Sequence, residues 1–101
     1  MQLTIVSSDK NWSEASRRFA ERRLRFALSR YSPRIRRVST IIDDQACQIT
    51  VRMRGLNDVV VTCAHAQLEL RVALAADRVG RAVSRAVEGQ LQFDRQRPFV
   101  A

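Results

Sequence analysis

Residues 13–31 read SEASRRFAERRLRFALSRY, from Ser13 to Tyr31, with six arginines against two glutamates. Ala15, Phe19, Ala20, Leu24, Ala27, Leu28 and Tyr31 recur at three- and four-residue steps, the spacing that places side chains on one face of an α-helix. Arg18, Arg22 and Arg25 fall on the opposite face. A helix with one apolar stripe and one cationic stripe must pack against another layer and present its charge away from it. Ser13 is a good N-cap, and Glu14 lies in the first turn, where the helix dipole favours a carboxylate. Trp12 and Arg17 occupy the positions of a staple pair, but Ser16 at N3 is not the residue type that completes a capping box. Pro33 predicts the stop, because proline disfavours helical geometry in the residue before it.

Outward from this helix the pattern changes to period two. Met1 to Ser8 alternates Leu3 and Ile5 with Gln2 and Thr4, which predicts a first strand with one buried face. After the helix, Ser32 to Arg37 (SPRIRR) reads as a basic connection, and Val38 to Ile42 (VSTII) as a β-branched second strand. Asp43-Asp44-Gln45 is a tight polar turn. Ala46 to Arg54 then sends Cys47, Ile49, Val51 and Met53 one way and Gln48, Thr50, Arg52 and Arg54 the other. Gly55 to Asp58 supplies hairpin chemistry before a fourth strand, Val59 to Ala64, with Val59, Val61 and Cys63 inward. From Leu68 to about Leu91 the period is helical again: Leu68, Val72, Ala75, Val79, Ala82, Val83 and Ala86 form a stripe, and Arg71, Arg78, Arg81 and Arg85 lie on another side. Gly80 is small enough to admit a close neighbour, and Gly89 is a plausible stop. The expected fold is a two-layer α+β sandwich of order β-α-β-β-β-α, a four-stranded sheet with both helices on one face. Residues 1–92 make one domain, and residues 93–101 a short tail.

The chain has 101 residues, 18 Lys plus Arg against 10 Asp plus Glu, and a formal net charge of +8. Such an excess on one small domain favours polyanionic partners: nucleic acid first, then an anionic membrane surface, then an acidic protein. A bias towards arginine accounts for the use of Arg over Lys but not for the surplus. There is no apolar run long enough to span a membrane and no secretory leader, so a soluble cytoplasmic protein with no membrane partner is expected. Cys47 and Cys63 are too few for a disulfide framework and read as small buried apolar residues. With the one histidine, His65, they lack the paired spacing of a metal site.

Catalysis has little support: there is no glycine-rich phosphate loop, no nucleophile framed by a histidine and an acid, and no suggestive carboxylate pair. No catalytic residue, metal or cofactor is expected. The arginines are the one constellation above background, since permanent cations with planar donor forks grip phosphate oxygens in pairs. The candidates for RNA binding are Arg18, Arg22, Arg23 and Arg25 of the first helix, Arg34, Arg36 and Arg37 of the connection, and Arg78, Arg81 and Arg85 of the second helix. Phe26, Phe93 and Phe99 are weak candidates for base-stacking platforms, so a mode that reads backbone and shape on structured RNA suits the chain better. A general structured-RNA binder and a basic module that holds an acidic protein partner both remain open on these residues alone.

The opening MQLTI, followed by Trp12 and then by Ser13, Glu14, Ala15, Arg17, Phe19, Arg23 and Leu24 with Tyr31 closing the helix, resembles the start of the ribosome hibernation-promoting factor and ribosome-associated inhibitor family. Ile35 to Val38, Cys47 to Met53 with its Thr50-Val51-Arg52-Met53 run, and Asp77-Arg78-Val79-Gly80-Arg81 match its later segments. The turn at Asp43 to Ala46 is shorter than in the family, and Gln67 to Val72 replaces its usual entry to the second helix. The resemblance implies a fold similar to double-stranded RNA-binding domains and binding to the small ribosomal subunit in the mRNA and tRNA channel. The implied outcome is arrested translation under stress or in stationary phase. It carries Arg23, Arg78 and Arg81 over from basic family positions, with Arg17 a weaker match. It further implies a chain of the short form, monomeric when free, with a second hibernation factor as an additional partner.

Overall fold

The structure is a computed structural model and describes the backbone of residues 1–96 and the side chains of residues 1–90. The chain forms β1 (Gln2–Ser7), α1 (Glu14–Leu28), a 3-10 turn (Ser29–Arg34), β2 (Ile35–Ile42), β3 (Ala46–Met53), β4 (Val59–Ala64) and α2 (Leu68–Gln96). The four strands lie in the order β1-β2-β3-β4, with β1 parallel to β2 and the other two pairings antiparallel. The α1 crossover makes the parallel pair, and the two hairpins make the rest. Both helices pack on one face of this mixed sheet, as expected from their single apolar stripes.

The core lies between the layers. Ala20, Leu24 and Leu28 of α1 and Val72, Ala75, Ala76, Val79, Val83 and Val87 of α2 bury against Val38, Ile42, Cys47, Ile49, Val51, Met53, Val61 and Cys63 of the sheet. In β2 both Ile35 and Val38 are buried although three positions apart, which simple alternation forbids. A bulge between Ile35 and Arg37 resolves the conflict by inserting one residue and turning the strand. Cys47 and Cys63 are register partners across β3 and β4, and burial pushes the Cys47 thiol up to about 12. Both behave as core residues.

Several local expectations need correction. Ser16 does complete a capping box: its Oγ accepts from the Ser13 N–H at 3.2 Å while the Ser13 Oγ accepts from the Ser16 N–H at 3.2 Å. A serine hydroxyl at N3 can serve as the reciprocal acceptor when the two side chains approach this closely. The α-helix ends at Leu28, and the chain tightens into the 3-10 turn with Pro33 inside it. Proline opposes α geometry in the residue ahead of it, and the chain there takes the tighter winding of a 3-10 turn, with about 3.0 residues per turn in place of 3.6. Ala15, expected in the apolar stripe, is exposed. Arg36 and Arg37 belong to β2 and not to a connection. Finally, α2 continues through Gly89 to Gln96, so residues 93–96 of the expected tail are helical; residues 97–101 lie outside the described residues. A C-terminal glycine stop needs left-handed φ, and among the described residues Gly55 alone has it, at 71°.

The largest correction concerns Arg71, expected in the outward cationic row. It is 1 % exposed and closes one end of the sandwich. Its Nε donates to the His65 carbonyl at 2.8 Å, Nη1 to Asp9 Oδ2 at 2.9 Å and the Asp43 carbonyl at 2.8 Å, and Nη2 to the Asp44 carbonyl at 2.9 Å and the Ala66 carbonyl at 3.2 Å. A guanidinium has five N–H donors, and all are satisfied. One side chain thereby ties the β1–α1 loop, the β2–β3 turn and the β4–α2 loop to the first turn of α2.

The two acids at this end are held in their charged form. The Asn11 backbone N–H, and after it the Arg71 guanidinium, lower the Asp9 pKa below its ordinary 3.8. The backbone N–H groups of Ala46 and Gln45 lower that of Asp43. Depressed carboxylates take up protons more readily in the unfolded chain, so stability rises with pH across the acid range. Their contribution is present above the ordinary 3.8 and lost as pH falls through the lower folded values. The urea midpoint should therefore drop steeply below about pH 4. Asp43→Asn, which keeps the acceptor oxygen but not the charge, should shorten that drop. An acid limb of unchanged depth in Asp43→Asn would contradict the assignment for Asp43.

Candidate nucleic-acid interface

Residue pairs on the two helices climb together: Arg23 meets Asp77, Ala27 meets Gly80 and Tyr31 meets Ser84. The helices therefore run parallel, side by side. A Cβ built on Gly80 would stand 3.1 Å from the Ala27 carbonyl oxygen and 3.3 Å from the Ala27 Cβ. Only glycine allows this approach without displacing a neighbour. At the crossing, Arg23 Nη2 donates to Asp77 Oδ1 at 2.9 Å, and Tyr31 Oη donates to Ser84 Oγ at 2.8 Å. The seam is thus braced by one ion pair and one hydroxyl pair.

The cations distribute around this two-helix layer. α1 carries five arginines against two glutamates. Arg18 pairs with Glu14 at 3.7 Å and Arg17 with Glu21 at 3.3 Å, both in exposed i,i+4 geometry that contributes little to stability. Arg22 and Arg25 are exposed and have no ion pair among the described residues. On α2, Arg78 Nη1 donates to the Thr62 carbonyl at 3.0 Å, which turns it towards β4 and away from α1. Arg85 lies about two turns further along the same line. Arg81 sits about 60° from that line and lines the groove between the helices with Phe26, Ala27, Arg30, Tyr31, Asp77, Gly80 and Ser84.

The structure therefore brings Arg22, Arg23 and Arg81 to the shared helix surface, with Arg18 and Arg25 beside it. Arg78 and Arg85 occupy its β4 flank. Arg34, in the 3-10 turn, and Arg36, at the β2 bulge, are set apart from both. Arg37 belongs to the other side of the protein: it faces Arg52 across β2 and β3 and donates to Gln2 Oε1 at 3.2 Å. It lines a hollow of about 280 Å³ on the open sheet face with Ser39, Thr50, Arg52 and Asp58. Arg30 escaped sequence reasoning because it follows the helical stripe next to Pro33. Its guanidinium carbon stands 5.9 Å from the Tyr31 ring centroid at the lower end of the groove. The proximity of arginine to tyrosine near a helix end was the available signal.

Among the described residues no three His, Cys, Asp or Glu side chains gather as a metal site, and no helix is long and apolar enough to cross a membrane. What the surface offers chemically is an array of permanent cations held on two rigid, abutting helices. Such an array suits phosphate oxygens, which accept paired N–H bonds from guanidinium.

Fold and surface together define a small basic α+β sandwich whose exposed helix layer is its charged face. The sequence matches no family model, and no curated protein matches it significantly. Among solved structures the chain is similar in fold to the N-terminal domain of protein Y from Thermus thermophilus, with 21 % identity, a TM-score of 0.72, and coverage of 84 % of this chain and 98 % of that one. It is likewise similar to a ribosomal subunit interface protein from Coxiella burnetii, with 15 % identity, a TM-score of 0.74, and coverage of 87 % and 99 %. The likeness spans nearly all of both domains, so the β-α-β-β-β-α order expected from the sequence is the shared architecture.

Proposed function

We propose that this chain is a non-enzymatic factor that binds the small ribosomal subunit through its rRNA and arrests translation under stress or in stationary phase. The observation that carries this reading is the arginine surface of α1 and α2, on which Arg22 and Arg81 are exposed and have no ion pair among the described residues, in a domain of this fold. One structural neighbour is itself described as a ribosomal subunit interface protein, and the sequence resemblance to hibernation factors points the same way. The chain acts by occupancy. Arginines on rigid helices meet phosphates of folded rRNA and deny that position to the translating machinery.

Phosphate contacts release condensed counterions, so affinity must fall as salt rises. Cosedimentation with purified small subunits tests this directly. Binding is expected at about 50 mM salt and should weaken by about 10³-fold or more at about 200 mM if six or more phosphates are contacted. Binding indifferent to salt, or none at low salt, would remove the basis of the proposal. Equal competition by unrelated duplex RNA would instead mark a general RNA binder.

A further inference from the structure

Phe26 is 83 % exposed and stands on the wall of the groove between α1 and α2. A phenylalanine this open on an arginine-rich helix packs against nothing in the fold and leaves a π face free to solvent. The groove beside it holds about 450 Å³, within the range of small-ligand sites of about 300–1,000 Å³. Its floor is low because Gly80 and Ala27 present almost no side chain. The Tyr31–Ser84 hydroxyl pair holds one side of that floor in place.

The charges around the groove are unequal in a telling way. The acid in its wall, Asp77, is already engaged by Arg23 at 2.9 Å. Neither Arg81 nor Arg30 has an ion pair among the described residues, and the Arg30 guanidinium carbon stands 5.9 Å from the Tyr31 ring centroid. A flat hydrophobic platform is thus flanked by two uncommitted guanidinium groups, a combination suited to a nucleobase joined to phosphates.

We propose that this groove holds one unpaired nucleobase of RNA, stacked on Phe26, with Arg30 and Arg81 on the phosphates that flank it. The proposal rests on the rRNA-binding reading and adds to it that an extruded base, not backbone shape alone, is recognised. Every base has a π face, so the site selects an unpaired nucleotide with little preference among the four. An apolar peptide side chain would use Phe26 equally well but leave both cations without partners, and the charge complementarity favours RNA.

The test uses the full chain and two RNA hairpins alike except that one carries a single bulged nucleotide, made as 2-aminopurine in a labelled copy. Wild type is expected to bind the bulged hairpin at least about five-fold more tightly than the paired one, since stacking on an aromatic contributes at least that factor. The 2-aminopurine emission should be quenched on binding. Phe26→Ala should erase both the preference and the quenching while leaving binding to the paired hairpin and its salt dependence intact, and Phe26→Tyr should retain both. Because Phe26 is exposed, neither substitution disturbs the core. If Phe26→Ala keeps the preference, or wild type shows none, the stacking site is overturned while the rRNA-binding reading stands. If wild type binds neither hairpin and no ribosomal subunit, both fall together.

Discussion

Arg71→Ala is expected to lower the unfolding free energy by about 3–5 kcal/mol, because removing one partner of a buried pair strands the other. For a domain of this size that lowers Tm by more than about 12 °C, and it is a large part of a total stability near 5–15 kcal/mol. The expectation follows from geometry. Arg71 is 1 % exposed, the Asp9 side chain 4 %, and the guanidinium also satisfies four carbonyls from two separate loops. Without it those carbonyls lose their donors at the same time as the carboxylate loses its cation. Arg71→Lys serves as the graded control. It restores a charge but supplies three donors on a flexible stem in place of a five-donor plane, so its stability should fall between alanine and wild type. Hydrogen exchange of backbone amides around residues 43–46 and 65–67 should rise in both variants. A loss of less than about 1 kcal/mol in urea unfolding of Arg71→Ala would mean that the clasp does not hold this end of the fold.

The second large effect is on binding. Arg22→Glu combined with Arg81→Glu should reduce association with small ribosomal subunits by at least about 100-fold, since each charged hydrogen bond contributes about 1.5–3 kcal/mol and the new carboxylates repel phosphate. Both side chains are exposed and outside the ion pairs of the seam, so the unfolding transition should stay where it is. Arg37→Glu with Arg52→Glu, on the open sheet face, is the matched control of equal charge change and should weaken binding far less. Equal losses in the two double variants would show that net charge alone, and not the helix surface, drives association.

Much of this architecture was legible in the residues. Period-two alternation in Ala46 to Met53 and helical spacing in Ser13 to Leu28 are local signals, and local geometry obeys them. Arg71 was not legible. It falls seven residues before Arg78 and fourteen before Arg85, so along the helix it looks like one more outward cation. Its burial is a long-range event, in which the loops at Asp9, Asp43–Asp44 and His65–Ala66 close over the first turn of α2. The same limit applies to the candidate surface. Helical periodicity identified which elements carry the arginines, but only the side-by-side packing at Ala27 and Gly80 decides that Arg81 joins α1 while Arg78 reaches β4. Phe26 read as a weak platform because exposure cannot be inferred from one aromatic at the edge of a stripe; the groove beside it exists only once the helices abut.

The proposed function requires that α1 and α2 together face small-subunit rRNA. A density map of the chain bound to ribosomes from starved cells tests it most directly. Density for the domain is expected on the small subunit with the helix layer against rRNA, Arg22 and Arg81 within reach of phosphates, and the open sheet face turned away. Density with the sheet against rRNA and the helices towards solvent, or with the domain on the large subunit alone, would contradict it.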